Sequence, residues 1–287
     1  MDKIKITTDS TCDLDKETIL NYGFDYLPQI VNLGDEEKID TVNLTTDDIA
    51  VFVKNTGKLP KTAARSVDDF KAFFEKYTKE GYKVVHISLS NELSVMHDNA
   101  CKAADEIGSD KVFIVNSRVL STGSSLLLLF AKELLENGKS AEEIAEICRK
   151  RAYHCQASFV VETLEYLHKG GRCSTLAMLG ANLLKLKPKL QLINGKIVST
   201  DKYRGKMLPV LKKYIDDTLA LYNNPDKKRC FITHANQEAE IVSEIVEYVK
   251  SKNIFEEVIE TRANGVIYSH CGKGTLGILY LNDGGIY

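Results

Sequence analysis

Short apolar runs alternate with amphipathic segments along the first half of the chain. The strand-like runs span residues 3–8, 24–33, 83–89 and 112–116. Apolar positions recur with a helical period over residues 68–79, 93–107 and 121–137. This alternation is typical of a mainly parallel sheet covered by helices on both faces, so it predicts an α/β/α architecture. In such sheets, ligands bind beyond the carboxyl ends of the strands.

The second half combines helices with an antiparallel hairpin. Helical patterns cover residues 141–153, 175–184, 206–222 and 238–250, and a shorter one ends at Gly170. Strand patterns cover residues 156–161, 188–193, 196–203, 230–234 and 256–261, followed by a glycine-rich tail. Asn194-Gly195 between two strand patterns is a strong hairpin signal. We therefore predict a mainly parallel α/β/α domain over residues 1–160 and a mixed α+β domain over residues 161–287.

Composition narrows the classes of function. The 287 residues carry 38 Lys and Arg against 40 Asp and Glu, a net charge of -2, so nothing points to a nucleic-acid partner. The most apolar run, residues 126–131, is far shorter than the roughly 20 residues of a membrane span. Seven cysteines without a C-x-x-C pair predict free thiols rather than disulfides or a zinc site. The amino terminus lacks the pattern of a secretory signal, and we expect a cytoplasmic protein.

An anion site is indicated by Lys169-Gly170-Gly171-Arg172, which ends a helical pattern. Two glycines let the backbone approach a ligand closely, and a guanidinium offers a planar fork of donors to a carboxylate or phosphate. A simple helix end with glycine beyond its last turn explains the same four residues equally well.

Three polar segments follow or precede predicted elements in the first half, at residues 8–14, 61–66 and 88–94. Thr62 in the second and Ser90 and Ser94 in the third offer hydroxyl groups, and backbone N–H groups at a helix start favour negative charge. Turn formation and helix capping are the alternative explanation, and for residues 8–14 the stronger one.

The tail contains a literal G-x-G-x-x-G at residues 272–277. Only ten residues follow it, so the strand, helix and acidic residue of a dinucleotide-binding unit are missing, and we reject that interpretation. The remaining prediction is a glycine-rich turn, with Gly274 and Thr275, that places His270 beside exposed backbone amides.

Taken in order, these motifs resemble those of the DegV family of bacterial fatty-acid-binding proteins, which includes the FakB subunit of fatty acid kinase. The similarity runs from residue 6 to residue 279 and rests on the joint spacing of the motifs at 8–11, 62–66, 93–94, 169–172 with 186–188, and 265–277. It implies a two-domain fold that buries one long-chain fatty acid at the domain boundary, without any further cofactor.

The resemblance also implies roles for individual residues. Thr62 and Ser94 are expected to donate hydroxyl groups to the carboxylate, with His270 and Arg172 completing the network and Ser90 as a substitute for Ser94. Gly274 and Thr275 belong to the same binding motif. Arg204 and Asp40 resemble a pair that lies near the surface facing the kinase. The chain departs from the family at residues 63–65, at Val95 and at Lys273.

The leading hypothesis is that the protein binds a fatty acid and presents its carboxylate to a separate ATP-dependent kinase. The chain has no G-x-x-x-x-G-K-[ST] loop and no evident cluster of Mg²⁺-binding carboxylates, so phosphoryl transfer needs a partner. A lipid carrier without a kinase partner fits the sequence as well. The alternative from another class is a lipid or ester hydrolase with Ser94 as nucleophile, His270 as base and Asp40 as orienting acid, although no G-x-S-x-G elbow is present.

Overall fold

The first half of the chain forms a four-stranded parallel sheet. The computed structural model describes residues 3–173 and 186–287. The four strands of this sheet are β1 (Lys3–Asp9), β2 (Asp25–Leu27), β6 (Tyr82–Ser88) and β7 (Val112–Asn116), and they lie in the order β2-β1-β6-β7. Consecutive residues at the carboxyl ends of β1 and β6 are buried, as expected for a sheet that is covered on both faces.

Two helix pairs cover this sheet. The helices of this half are α1 (Lys16–Asn21), α3 (Val67–Thr78), α4 (Met96–Ile107), α5 (Thr122–Glu136) and α6 (Ala141–Arg151). Helix α3 packs on α4 and α5 packs on α6, and each pair contacts strands of the sheet. The predicted α/β/α arrangement is therefore confirmed.

A small antiparallel sheet interrupts the predicted pattern. The single strand expected over residues 24–33 is instead β2 and a separate strand, β3 (Ile30–Leu33), in a different sheet. Pro28 lies between them, and proline lacks the N–H that a continuous strand would donate. Strand β3 pairs with β4 (Glu36–Ile39) and β5 (Lys61–Ala63), and helix α2 (Thr46–Thr56) lies between β4 and β5 in the chain.

The second half contributes most of a six-stranded mixed sheet. Its strands are β8 (Cys155–Val160), β9 (Leu186–Ile193), β10 (Lys196–Arg204), β11 (Arg229–Ala235), β12 (Glu257–Arg262) and β13 (Thr275–Leu281). They lie in the order β10-β9-β8-β13-β11-β12. Its helices are α7 (Glu165–Gly170), α8 (Met207–Leu221), α9 (Ala239–Ser251) and α10 (Gly265–Cys271). The predicted hairpin is confirmed, with Asn194 and Gly195 both at positive φ between β9 and β10.

The glycine-rich turn predicted in the tail spans residues 272–274, where Gly272 and Gly274 have positive φ. On either side of this turn the tail forms α10 and β13, and the seven residues of β13 are all buried between β8 and β11. Glycine at position 277 suits this central place, because a Cβ there would lie 2.6 Å from the carbonyl oxygen of Ser158. The helix predicted over residues 175–184 falls outside the described residues.

The two large sheets share one hydrophobic core. A continuous set of buried side chains runs from Ile6 in β1 to Leu281 in β13, and α5 contacts both of these strands. Strand β8 ends at residue 160, the predicted domain boundary, and is hydrogen-bonded to β13 and β9. The division of the chain at that residue stays a prediction.

Candidate functional site

Helix α10 is held at its amino terminus by buried carboxylates from the first half of the chain. Asp40 accepts hydrogen bonds from the backbone N–H of Gly265 at 2.8 Å and from the hydroxyl of Ser10 at 2.7 Å. Asp13 accepts one from the N–H of Asn264 at 2.7 Å. A negative charge at this end of a helix is favourable, while burial raises the pKa of Asp40 to about 6.

This arrangement explains two features of the sequence. Residue 265 is glycine because a Cβ there would lie 2.6 Å from a carboxylate oxygen of Asp40. The polar segment at residues 8–14 serves to place α10, which is the structural explanation weighed for it above. Asp40 itself is completely buried, so it does not lie on a partner-facing surface as the resemblance implied.

The last turn of α10 brings His270 against two other predicted site residues. Its Nε2 lies 2.9 Å from the hydroxyl oxygen of Thr62 in β5, although 208 positions separate the two residues. Its Nδ1 is buried without a hydrogen-bond partner in the described residues. A Cβ on Gly170 would lie 2.8 Å from that atom, so the glycine of α7 makes room for the imidazole.

Burial determines the charge of this histidine. It lowers the pKa of His270 to about 4, with a smaller contribution from the neighbouring Arg172. The imidazole is therefore neutral near pH 7, so one ring nitrogen carries a proton that it can donate and the other can accept a hydrogen bond. In the tautomer with the proton on Nε2, His270 donates to Thr62 and leaves the threonine hydroxyl free to donate to a ligand.

A polar cavity of about 410 Å³ opens beside this pair. Thr62, Ser94, Arg172 and His270 all line it. Ser94 accepts a hydrogen bond from the backbone N–H of Met96 at 3.3 Å, which leaves its own proton available. Arg172 is exposed, and its guanidinium donates to the carbonyl of Gly170. The four side chains that the resemblance assigns to the carboxylate site therefore line one cavity.

An apolar cavity adjoins the same histidine. His270 lines it together with Leu120, Phe159, Leu167, Ile197, Ile267 and Leu279. The volume of this cavity is about 50 Å³, counted as the space that the centre of a water molecule can occupy. One water molecule needs about 10–15 Å³ on the same measure. The cavity is thus small, with room for about three to five groups of that size.

The remaining predicted residues lie at other places. Ser90 is buried, and its hydroxyl donates to the carbonyl of Gly195 at 2.8 Å instead of lining the polar cavity. Thr275 lines the apolar cavity, where its hydroxyl donates to the carbonyl of Cys271 at 3.0 Å. Gly274 has a φ of 84° and donates its N–H to Ala235. Arg204 is exposed at the end of β10.

The hydrolase arrangement is not assembled. Within residues 3–173 and 186–287, no hydrogen bond joins Ser94, His270 and Asp40. The Nε2 of His270 is engaged by Thr62, and the carboxylate of Asp40 is used by Ser10 and the first turn of α10. A triad needs the acid to orient the base and the base to reach the nucleophile, and neither contact is present.

Comparison with known proteins identifies the family. Residues 3–283 match the sequence profile of the DegV family, a family whose description reads "uncharacterised protein". The chain belongs to the DegV family.

Individual relatives agree in length as well as in sequence. A protein of Thermotoga maritima named as a fatty acid-binding protein is 31% identical over 284 residues, with 96% of each chain covered. A DegV family protein from Thermus thermophilus, described with fatty acid binding, superimposes with a TM-score of 0.90 at 28% identity, covering 98% of this chain and 100% of its own.

A relative associated with a kinase shares the fold. The fatty acid kinase (Fak) B3 protein of Streptococcus pneumoniae, loaded with linoleic acid, has a TM-score of 0.85 at 22% identity, with 98% and 100% of the two chains covered. The two-domain α/β architecture implied by the resemblance is therefore that of this DegV protein.

The three departures from the DegV pattern now have structural explanations. Arg65 does not add a cation to the cavity, because its Nε donates to the carbonyl of Pro28 at 2.7 Å. Ala63 and Val95 line the polar cavity, and Val95 is 60% exposed. Lys273 is exposed. The His270–Thr62 contact is present together with these departures.

Sequence reasoning missed one buried polar residue of the site. Gln29 is 1% exposed and lines the polar cavity, where its Oε1 accepts from the N–H of Arg65 at 3.3 Å and its Nε2 donates to Leu27 at 3.2 Å. A glutamine directly after a proline, between two apolar runs, was the available signal. Position 29 lies inside the strand predicted over residues 24–33, and that pattern does not single out its side chain.

The described part of the chain has neither a metal centre nor a membrane span. No group of three His, Cys, Asp or Glu side chains there is arranged to hold a metal ion. No helix within residues 3–173 and 186–287 is long and apolar enough to cross a bilayer. Cys12, Cys148, Cys230 and Cys271 are buried as free thiols, as predicted.

Proposed function

We propose that this DegV protein binds one long-chain fatty acid, with the carboxylate in the polar cavity and the acyl chain entering the apolar cavity. The observation that carries the proposal is the Thr62–His270 contact, because His270 borders both cavities and Thr62 faces the polar one. Relatives described as fatty-acid-binding proteins support the same ligand class.

The two parts of such a ligand have different energetic requirements. Each methylene moved from water into the apolar cavity contributes about 0.8 kcal/mol. The carboxylate loses hydration and must be hydrogen-bonded or paired with a cation. Hydroxyl donors from Thr62 and Ser94, with the guanidinium of Arg172, supply those partners, and charge-assisted hydrogen bonds are about twice as strong as neutral ones.

The protein acts as the lipid-binding subunit of a two-part system in this proposal. A separate kinase brings ATP, a carboxylate oxygen of the bound fatty acid attacks the terminal phosphorus, and ADP leaves with the electrons of the broken P–O bond. The kinase-associated relative supports such a partner, and Arg204 is an exposed cation for its recognition. A partner that uses ATP places the protein in the cytoplasm.

The first experiment is mass spectrometry of lipid extracted from the purified protein, with uptake of added fatty acid measured in parallel. Thr62→Ala and Arg172→Ala should each lose most of the bound fatty acid. Arg204→Ala is the matched control for Arg172→Ala, because it removes an exposed arginine outside both cavities and should keep the ligand. A wild-type protein that neither carries nor takes up fatty acid contradicts the proposal.

The second experiment separates presentation to a kinase from simple transport. The loaded protein is mixed with ATP and the nucleotide-binding subunit of a bacterial fatty acid kinase, and acyl phosphate is trapped with hydroxylamine as the hydroxamate. We expect product with the wild type and loss of product, with retained fatty acid, for Arg204→Ala. Full loading without product in any pairing identifies a lipid carrier instead.

A further inference from the structure

A second groove also borders the Thr62–His270 contact. It measures about 740 Å³, and it shares Thr62, Arg172 and His270 with the polar cavity of the proposed carboxylate site. Its wall comes from the segment between α2 and β5, from β3 and from the end of α7. The proposed fatty acid does not require this space.

The groove carries more positive charge than the molecule around it. Lys58, Lys61, Lys169 and Arg172 line it against one acid, Asp35, whereas the whole chain has a net charge of -2. Lys169 is paired with Glu165 at 2.7 Å. Lys58 and Lys61 are exposed and make no side-chain hydrogen bond or ion pair with any residue that the structure describes.

A phenol in the same wall is a second observation. Tyr166 is 9% exposed as a whole residue and lines the groove, and its hydroxyl has no hydrogen-bond partner among the described residues. Its ring is fixed by close packing, because a Cβ on Gly272 would lie 2.6 Å from it and Tyr268 meets it edge-on at 6.5 Å. The hydroxyl itself is not one of the buried polar atoms that lack a partner, so it is open to solvent and available to a ligand.

Helix ends account for only part of the cationic lining. Lys169 lies in the last turn of α7 and Lys58 follows the end of α2, where cations complement the helix dipole. Lys61 lies in β5 and has no such helix to complement. The helix dipoles thus leave Lys61 and the hydroxyl of Tyr166 without an assigned role.

We infer that this groove binds a phosphate group, with the ammonium groups of Lys58 and Lys61 and the hydroxyl of Tyr166 as its ligands. Phosphate oxygens accept several charge-assisted hydrogen bonds at once, which suits cations and a neutral donor that line one groove. The inference rests on the proposed function only in naming the molecule to which the phosphate group belongs. A phosphate there belongs either to a phosphorylated acyl chain held in the cavities or to a free phosphate compound beside the carboxylate.

The test is isothermal titration calorimetry with two probes at low and at physiological ionic strength. One probe is pyrophosphate, titrated into protein loaded with palmitate. The other is a β-ketoalkyl phosphonate of the same chain length, in which a methylene replaces the bridging oxygen of an acyl phosphate. The double variant Lys58→Ala/Lys61→Ala should weaken the probe that binds by about tenfold or more, and Tyr166→Phe by about threefold or more. Raising the ionic strength should weaken binding further.

The controls separate this site from general charge and from the fatty acid site. Lys16→Ala/Lys102→Ala removes two exposed lysines outside the groove and should leave both probes unaffected. Palmitate affinity should be unchanged in the groove variants. Tyr166→Phe conserves the packed ring, so it keeps the test valid if the lysine variant is poorly folded by circular dichroism.

Each outcome decides the inference. Binding of the phosphonate alone identifies a phosphorylated acyl chain as the source, and binding of pyrophosphate identifies a free phosphate compound. If neither probe binds, or if the control double variant weakens binding as much as the groove variant, the inference is wrong while the fatty acid site stands. If pyrophosphate binds through the lysines but palmitate does not bind at all, the groove is retained and the proposed function fails.

Discussion

Replacing Gly170 by alanine tests whether the room that this residue leaves for His270 matters for binding. Gly170 is the last residue of α7, and the substitution removes a helical glycine, which by itself costs about 0.5–1 kcal/mol relative to alanine. Backbone conformation alone therefore predicts a neutral or slightly stabilising change. The new methyl group, however, would lie 2.8 Å from the Nδ1 of His270.

The expected size of the effect follows from that distance. Ordinary van der Waals contact begins at 3.4 Å, so the ring must move by about 0.6 Å, the difference between 3.4 and 2.8 Å. That shift is large enough to disturb the 2.9 Å contact between His270 and Thr62. The net worth of one such hydrogen bond is about 1 kcal/mol, so fatty acid affinity should fall about fivefold.

Gly171→Ala is the matched control for this change. Gly171 has a φ of 69°, and a Cβ there would meet nothing within 4 Å. Alanine at this position strains the backbone by about 1 kcal/mol without touching the histidine. We expect Gly171→Ala to lower the free energy of unfolding and to keep fatty acid affinity, the reverse of Gly170→Ala.

The assays are displacement of a fluorescent fatty acid for affinity and urea denaturation for stability. The carbon chemical shifts of the His270 ring report directly whether the imidazole has moved. Unchanged affinity and unchanged ring shifts in Gly170→Ala refute the reasoning, because the site would then not depend on the space beside Nδ1. Equal loss of affinity in both variants points to general loosening of the end of α7.

Three further predictions concern stability and, for two serines, fatty acid affinity. Asp283→Ala should lower the free energy of unfolding by about 1–3 kcal/mol in urea denaturation, because the guanidinium of Arg151, 3% exposed, loses the carboxylate 2.8 Å away and keeps only Asp226; a change below about 0.5 kcal/mol would contradict this. Burial lowers the pKa of His86 to about 3, so between pH 3 and pH 6.5 the unfolded chain binds more protons at this residue than the folded chain does. Stability should therefore fall as pH drops from 6.5 towards 3, by up to about 1.4 kcal/mol per pH unit, and His86→Gln should flatten this dependence in urea titrations at each pH; an unchanged slope would argue against a neutral buried histidine. Ser90→Ala should lower the free energy of unfolding by about 1 kcal/mol, because its hydrogen bond to Gly195 is lost, and should keep fatty acid affinity. Ser94→Ala should lower fatty acid affinity at similar stability. The opposite result would exchange the roles of the two serines.

The strands and helices of the two large layers were predictable because their signal is local. The periods of apolar residues indicated β1, β6 and β7 and the helices α3 to α6, and Asn194-Gly195 indicated the hairpin of β9 and β10. Such patterns depend on which residues neighbour one another along the chain, and a helix or strand preserves that order.

Glycine misled the same reasoning where burial outweighed propensity. Gly277 belongs to the predicted glycine-rich turn but lies inside β13, and Gly265 is the first residue of α10. Each is glycine because another part of the chain leaves no space for a Cβ, the carboxylate of Asp40 in one case and the backbone of β8 in the other. Close approaches of this kind are made by distant segments, so no local pattern reports them.

By itself, the sequence determined the layers of the fold and the chemical types of Thr62, Ser94, Arg172 and His270 as candidate donors. Only the tertiary structure decided that His270 meets Thr62 across 208 positions, that Ser90 turns to Gly195, and that Asp40 is buried under α10. The physical reason is that hydrogen bonding acts over about 3 Å between atoms. Which groups come that close depends on the order in which strands pair and helices pack, which local periodicity does not contain.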